Sequence, residues 1–195
     1  FTDVLVMMKE VLQAELSKED FRIISRYIDK GLEIFPGLAS TSPSFISQDN
    51  PYHLLARDYL NLLLKAKRYE ADARIMKAVN EGVAVRDIYL HVFQPVQKEI
   101  GRLWQENQVS VAQEHYSTAA TQLIMSRLYP YVFNTEKNGR VFIGACVGGE
   151  LHEIGIRMIT DFFEMEGWDT FFIGGNTPKE SIKTLVTERG ADILG

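Results

Sequence analysis

Apolar residues recur at helical spacing through most of the chain. Residues 4–35 carry one such stripe, and Ser17 with Asp20 predicts a fresh helix start within it. Residues 36–51 are rich in Pro, Ser, Thr, Gly and Asn, a composition typical of a linker and the best candidate for a domain boundary. We therefore expect an amino-terminal helical segment and a linker over residues 1–50.

Four further helices are predicted over residues 52–67, 69–80, 85–106 and 110–129. Pro95 is expected to bend the third of them. Ser110 and Gln113 have the spacing of a capping box at the start of the fourth. Because the connections are short, the pattern favours an antiparallel four-helix bundle over residues 51–136.

From about residue 140 the sequence pattern predicts alternating elements: strand, helix, strand, helix, strand. The predicted elements cover residues 141–146, 152–166, 170–173, 177–187 and 191 onward. Thr177, Pro178 and Glu180 are typical of a helix start, with the threonine as cap and the proline at the first position. This alternation predicts a Rossmann-like parallel sheet with helices on both faces over residues 137–195.

The predicted fold class is therefore α plus α/β, a helical bundle followed by a Rossmann-like domain. The chain begins at Phe1 rather than Met and ends as a third strand begins. A parallel sheet of so few strands would leave a long open edge, so we expect more chain to follow.

Composition narrows the class of protein. The 195 residues are 46% hydrophobic and 24% charged, with a net charge of −5. Direct DNA binding by this segment is not expected because no basic patch dominates. No apolar run has the roughly 18 residues of a membrane helix, and no leader peptide is visible. The single cysteine, Cys146, fits a reducing compartment, so a cytoplasmic protein is predicted.

Glu150, His152 and Gly155 carry the most informative chemical pattern. A histidine at the carboxyl end of the first predicted strand lies where open parallel sheets bind ligands. It can offer one ring nitrogen to a metal while a carboxylate two residues earlier accepts the proton of the other. A glycine three residues later lets the backbone approach a bulky ligand. A histidine taken alone is more often a surface or capping residue, and only this context favours a ligand.

The segment Glu150-Leu151-His152-Glu153-Ile154-Gly155 resembles the Asp-x-His-x-x-Gly signature of cobalamin-binding domains, with glutamate in place of aspartate. Residues 172–178 resemble the Leu-Gly-x-x-x-Pro segment of the same family. The resemblance implies that His152 replaces the cofactor's own benzimidazole as lower axial ligand of cobalt, that Glu150 tunes it, and that the nucleotide tail enters the sheet domain. The residues for which it implies cofactor contact are Glu150, His152, Glu153, Gly155, Gly174, Gly175 and Thr177.

A second group of candidate residues lies in the bundle, where Trp104 ends one helix and Glu114-His115 open the next. Each has an ordinary structural interpretation. Trp104 could be a core anchor, Glu114 a carboxylate favoured near a helix start, and His115 an interior histidine with its hydrogen bonds satisfied. A tight connection nevertheless brings all three to one end of the bundle. Residues 117–121 are small, and such a surface could admit a flat macrocycle.

The spacing of Trp104, Glu114 and His115 resembles that of the CarH/LitR adenosylcobalamin photoreceptors. The resemblance covers roughly residues 55–195. It implies that Trp104 packs over the upper axial group of cobalt, that Glu114 contacts the adenosyl moiety, and that His115 takes the cobalt after photolysis. Residues 1–50 show none of the basic DNA-binding module of that family.

The leading hypothesis is thus a cobalamin-dependent light sensor for signal transduction or transcription regulation, more a regulator than an enzyme. Photolysis of adenosylcobalamin would change domain packing and the state of an effector protein or a homo-oligomer. The main alternative is a corrinoid carrier of a methyltransferase system, and a third is a light-insensitive cobalamin sensor. Methylcobalamin and hydroxocobalamin remain open as cofactor forms.

The remaining distinctive residues are expected to be structural. His53 and His91 lack a partner motif, and Cys146 is expected to be a small buried residue within the first strand. Met7 and Met8 are expected to pack. Aromatic residues expected in the bundle core are Tyr52, Tyr59, Tyr89 and Phe93.

Overall fold

The computed structural model describes residues 2–34 and 43–195. Contacts divide the chain into two compact units, Phe1–Pro43 and Ser44–Gly195. Residues 36–42 of the predicted linker lie outside the described residues. The predicted division into segments 1–50, 51–136 and 137–195 stays a prediction.

The first unit contains two helices, α1 (Thr2–Glu15) and α2 (Lys18–Ile34). Asp20 N–H donates to Ser17 Oγ at 3.2 Å, which gives the helix start that the sequence predicts. The expected packing of Met7 and Met8 is wrong, since they are 64% and 47% exposed. Both lie outside the inward stripe of α1, which runs through half-buried Leu5, Leu12 and Leu16.

The second unit begins with a helical bundle. Its elements are α3 (His53–Leu64), α4 (Arg68–Asn80), α5 (Val85–Ile88), a π-helical turn (Tyr89–Phe93), α6 (Gln94–Gln105) and α7 (Val111–Val132). The capping box of α7 is present, because Ser110 and Gln113 exchange side-chain and backbone hydrogen bonds. Buried apolar residues from all of these helices form one core.

The predicted helix over residues 85–106 is interrupted by the π turn immediately before Pro95. Proline has no N–H to give the carbonyl four residues earlier, and its ring pushes that carbonyl aside. The carbonyl is that of His91, and it accepts instead from Asn50 Nδ2 at 2.7 Å. The expected bend is therefore a π turn whose freed carbonyl is satisfied by another part of the unit.

Three of the four predicted core aromatics, Tyr59, Tyr89 and Phe93, are fully buried. Phe93 lies between the two tyrosines, with ring centroids 5.3 Å from Tyr59 and 5.6 Å from Tyr89. Tyr52 is only half-buried and packs on the rim of the core beside His91, with 5.9 Å between ring centroids. These rings fill the centre of the bundle.

The unit continues with a small parallel sheet. Its elements are β1 (Val141–Ala145), α8 (Ile154–Met165), β2 (Asp169–Gly174), α9 (Lys179–Arg189) and β3 (Ile193–Leu194). The strand order is β2-β1-β3, so β1 is central. The connections from β1 to β2 and from β2 to β3 run in opposite directions across the sheet. Because such crossovers are right-handed, α8 and α9 lie on opposite faces of the sheet. The predicted fold class, a helical bundle followed by a Rossmann-like parallel sheet, is confirmed.

Two predicted helix starts in the sheet region are wrong. Helix α8 begins at Ile154 rather than at residue 152, with Glu153 as its N-cap residue. Helix α9 begins at Lys179, and Pro178 rather than Thr177 occupies the N-cap. Thr177 Oγ1 donates to the Ile173 carbonyl at 3.2 Å, which closes the turn after β2 instead of capping the helix.

The bundle and the sheet module are joined through α8. The hydroxyl of Tyr89, in the π turn, donates to Asp161 Oδ2 at 2.8 Å. Arg157 donates to Ser126 Oγ and to the Tyr129 hydroxyl on α7, at 2.7 and 3.1 Å. These contacts fix the start of α8, and with it the preceding loop, against the bundle. Among the described residues, no helix is long and apolar enough to cross a membrane.

Candidate functional site

The candidate site begins at the carboxyl end of β1. The winding of the chain reverses at this strand, and open parallel sheets bind ligands at such a point. The N–H of Cys146 donates to the Gly174 carbonyl at 3.0 Å and so holds the loops after β1 and β2 together. Cys146 is buried, as expected, directly after the strand. Burial raises the pKa of its thiol, and the carboxylates of Glu153 and Glu150 add to the effect.

Glu150 and His152 form a local pair. Glu150 Oε1 accepts from the His152 backbone N–H at 2.7 Å and lies 2.5 Å from His152 Nδ1. These two contacts, the backbone one first, hold the pKa of the Glu150 carboxyl below its ordinary value. The side chain of His152 is 92% exposed. Because a carboxylate contacts Nδ1, the tautomer with the proton on Nδ1 is favoured. In that tautomer the lone pair of Nε2 points outward, as a metal-binding histidine requires.

Glu153 connects three elements. Its Oε1 accepts from Gln122 Nε2 on α7 at 3.0 Å, and its Oε2 accepts from the Gly175 N–H after β2 at 3.2 Å. The residue is also the N-cap of α8. One carboxylate therefore ties the histidine loop to the bundle and to the neighbouring sheet loop.

The two predicted glycines at the end of β2, Gly174 and Gly175, lie close against the histidine loop. Gly174 has a φ of +65°, and a Cβ on it would lie 2.7 Å from Glu153 Oε2. A Cβ on Gly175 would lie 2.8 Å from the Glu150 carbonyl oxygen. The sequence indicated glycines for cofactor contact, and the structure gives them a packing role of their own.

Gly155 behaves differently. A Cβ there would meet no described atom within 4 Å. The packing of the described residues therefore does not need a glycine in the first turn of α8. The space beside it would suit a ligand that comes close to the backbone.

The upper candidates lie at the adjoining ends of α6 and α7. Trp104 is 46% exposed. Glu114 Oε2 lies 2.5 Å from Nδ1 of His115, whose side chain is 76% exposed. The hydroxyl of Thr118 donates to the other Glu114 oxygen at 3.0 Å. In the described side-chain hydrogen bonds, this pair therefore contacts only residues of α7 itself.

The interpretation of residues 117–121 as an open surface is wrong for most of them. Ser117, Ala120 and Thr121 are buried in the bundle. Thr121 Oγ1 contacts the Tyr59 hydroxyl at 2.9 Å and accepts from Gln97 Nε2 at 2.7 Å. Small side chains here let neighbouring helices approach, which the local sequence does not distinguish from an open surface.

The exposed stripe of α7 runs through His115 and Ala119 and leads to the half-buried Gln122. Gln122 is a site residue that sequence reasoning missed. Its position seven residues after His115, two helical turns along one face, was the available signal. Glu153 links Gln122 to the loop after β1 and to Gly175 after β2. His115 lies about 10 Å away along the same helix.

The described residues contain no group of three or more His, Cys, Asp or Glu side chains that could hold a metal ion. A lone outward histidine instead suits a metal that arrives with most of its ligands already in a cofactor. The outward Nε2 of His152 and the open space at Gly155 both fit such a group.

Comparison with known proteins gives two kinds of match. Residues 55–129, less than half of the chain, match the family model of the B12 binding domain. This range covers the bundle from α3 into α7 and excludes the histidine loop. The family match and the loop geometry are therefore independent observations. A search of curated proteins found no match to the sequence.

Solved corrinoid proteins resemble the chain in structure. The monomethylamine corrinoid protein of Methanosarcina barkeri aligns with 73% of this chain and 68% of its own, with a TM-score of 0.63 and 17% identity. The methanol:cobalamin methyltransferase complex of the same organism aligns over 95% and 67%, with a TM-score of 0.45 and 14% identity. A cobalamin-binding protein of Desulfitobacterium hafniense aligns over 72% and 66%, with a TM-score of 0.38 and 18% identity.

Only the first of these structural matches has a TM-score high enough to support a shared fold, and its low identity limits the conclusion to the fold. The family model over residues 55–129 supports cobalamin binding by this chain. Residues 55–129 thus match the B12 binding domain family, within a chain that has the fold of a corrinoid protein.

Proposed function

We propose that this chain carries a cobalamin cofactor between α7 and the loop after β1, where His152 would hold its cobalt. The observation that carries the proposal is the Glu150–His152 pair at the carboxyl end of the central strand, which leaves Nε2 outward. The bound cofactor would supply a cobalt able to hold an alkyl group. The residues of the chain would bind and orient it.

Each residue of the loop has a distinct part in this proposal. Glu150 holds the proton on Nδ1 of His152, so that Nε2 is an electron-pair donor. Glu153 keeps the loop at a fixed distance from Gln122 on α7. Gly155 leaves room beside the first turn of α8. The exposed stripe of α7 would face the opposite side of the cofactor.

We propose a corrinoid carrier of a methyltransferase system as the leading function, with a methyltransferase as protein partner. The shared fold with the monomethylamine corrinoid protein supports this class over the light sensor. A carrier needs a cofactor that a partner protein can reach. The two large exposed side chains near the upper side, Trp104 and His115, are on the surface where such a partner would dock.

A light sensor is the second candidate, and one observation favours it. Glu114 and His115 form a pair whose histidine ring is largely exposed and available to cobalt. In this proposal adenosylcobalamin is the dark-state form, Trp104 and Glu114 contact its adenosyl group, and His115 becomes a ligand after illumination.

Titration with hydroxocobalamin tests the binding proposal. The cofactor should bind with its benzimidazole base displaced, and the absorption spectrum should show histidine ligation. His152→Ala should weaken binding at least about 100-fold and remove the spectral signature, because it removes the ligand itself. The matched control His53→Ala should leave both unchanged. A His152→Ala variant with wild-type affinity and spectrum would refute His152 as the ligand.

Illumination separates the two functions. The carrier predicts that adenosylcobalamin bound in the dark gives, after green light, only the products that it gives free in solution. The sensor predicts a stable species with two histidine ligands, which His115→Ala abolishes without weakening dark binding. A lasting change that depends on His115 would therefore overturn the carrier in favour of the sensor.

A further inference from the structure

Helices α1 and α2 expose an unusual amount of apolar side chain. Single exposed apolar residues are common on protein surfaces, but contiguous apolar patches mark interaction sites. Seven such residues, each 46–77% exposed, make up what we call the hairpin face: Val4, Met7, Met8, Val11, Ile23, Tyr27 and Ile34.

The spacing of these residues places them on one side of the hairpin. The seam between the helices contains Leu5 and Leu12 of α1 and Ile28 of α2, which is buried. Val4, Met8 and Val11 lie about a quarter turn from this seam on α1, and Ile23, Tyr27 and Ile34 lie a similar angle away on α2. Since the helices are antiparallel, both stripes turn to the same side.

The hairpin face therefore lacks a covering layer among the described residues. Two helices about 20 Å long, lying side by side, present roughly 400 Å² of surface. Helices bury their apolar stripe against another element, and two such pairs stacked face to face form a four-helix bundle.

Charge at the edges of the face indicates what covers it. The outer edge of α1 carries Asp3 and Glu10. The outer edge of α2 carries Arg22, Arg26 and Lys30 against Glu19 and Glu33, and it is therefore net basic. Lys30 is 65% exposed and pairs with Glu33 at 3.4 Å within its own helix, an exposed ion pair that can be exchanged at little cost for a contact with a second copy.

A second copy of the hairpin matches this charge distribution. If the twofold axis runs along the helices, α1 of one copy lies over α2 of the other, and the acidic edge meets the basic edge. An axis across the helices would instead set like charges opposite one another. Self-complementarity of this kind is what a twofold interface requires.

We infer that the hairpin face is a homodimer interface, at which a second copy of this chain completes a four-helix bundle. The occupant is thus another copy of the chain. The modest area predicts a dimer that dissociates on dilution. The inference does not depend on cofactor binding.

Sedimentation equilibrium of the full chain over a wide concentration range tests the inference. The wild type should show a reversible monomer–dimer equilibrium. Val11→Asp should raise the dissociation constant at least about 100-fold, because each dimer would bury two aspartates where two valines pack. Val6→Asp is the matched control, since Val6 lies on the same helix but off the face and is 43% exposed.

Tyr27→Asp provides a second variant at a position 77% exposed, where the monomer fold should tolerate the change. Circular dichroism should show unchanged helix content for all three variants. A wild-type chain that stays monomeric at every concentration would overturn the inference. The inference would also be overturned if Val11→Asp and Tyr27→Asp left the dimer as stable as Val6→Asp leaves it.

Charge reversal tests the direction of the axis. Asp3→Lys with Glu10→Lys should weaken the dimer about tenfold at low salt, and Arg26→Glu with Lys30→Glu should do the same. All four changes together should restore the wild-type constant to within about threefold. Failure of the fourfold variant to recover would overturn the proposed arrangement.

Discussion

The loop after β1 and the adjoining ends of α6 and α7 both present a histidine beside a glutamate, yet they are built differently. Around His152, Glu153 contacts α7 and the loop after β2 through separate oxygens. Around His115, the only described side-chain hydrogen bonds of Glu114 are to His115 and Thr118, on the same helix. The first region is fixed by the fold, whereas the second can change conformation at little cost to it.

This difference suits a cofactor held on one side and left accessible on the other. A lower ligand must stay in place through every state of the cofactor, and its support should therefore come from several elements. An upper side that a partner or a new ligand approaches must instead permit movement. The following variants test whether the two regions differ in this way.

Gly174→Ala should have the largest effect on stability. The φ of +65° disfavours any side chain, and the new Cβ would lie 2.7 Å from Glu153 Oε2. We expect a loss of about 2 kcal/mol in the free energy of unfolding measured with urea. The control Gly155→Ala should cost nothing without cofactor, since a Cβ there meets no described atom. Equal losses in the two variants would contradict the packing assigned to Gly174.

The loop is also anchored by a buried acid, Asp161, on the helix that follows it. Burial raises the pKa of Asp161 to about 6, against the smaller opposing effects of the Tyr89 hydroxyl and Arg157, while Glu164 raises it further. Because the folded state holds the proton more tightly than the unfolded state, the stability contribution of Asp161 is full below about pH 4 and is lost as the pH rises toward 6.

Asp161→Asn should therefore stabilise the protein by about 2 kcal/mol at pH 7 and leave it nearly unchanged at pH 4. The asparagine oxygen can still accept from the Tyr89 hydroxyl, so the hydrogen bond is kept. Urea unfolding of both proteins at each pH provides the measurement. A stability difference that is the same at pH 4 and pH 7 would show that titration of Asp161 is not its cause.

The sequence predicts the parts of the molecule that depend on local pattern. Ser110 and Gln113 lie near each other in sequence, and their capping box forms as expected. The alternation of apolar runs and helices likewise predicts the parallel sheet and the strand ends where Glu150 and His152 lie.

Features that depend on distant contacts could not be predicted in this way. The link from Gln122 to Glu153 spans 31 residues, and neither residue type indicates a partner. Thr121 is buried where Tyr59 and Gln97 contact its hydroxyl, which its small size alone does not reveal. The π turn follows from Pro95, but the carbonyl it frees is satisfied only by Asn50 from another segment.

The smallest expected effect is a difference in stability between variants of two glutamates. Glu153 contacts α7, and Glu114 is part of α7. Glu153→Ala removes one acceptor from both Gln122 and the Gly175 N–H, and it should lower the free energy of unfolding by about 1 kcal/mol. Glu114→Ala removes only contacts within its own helix, and its effect should stay within about 0.5 kcal/mol. Hydrogen exchange should localise the difference, because amides of residues 146–153 should lose protection in Glu153→Ala and keep it in Glu114→Ala. If Glu114→Ala exposed those same amides, the start of α7 would be coupled to Gln122 and the upper region would be part of the rigid support.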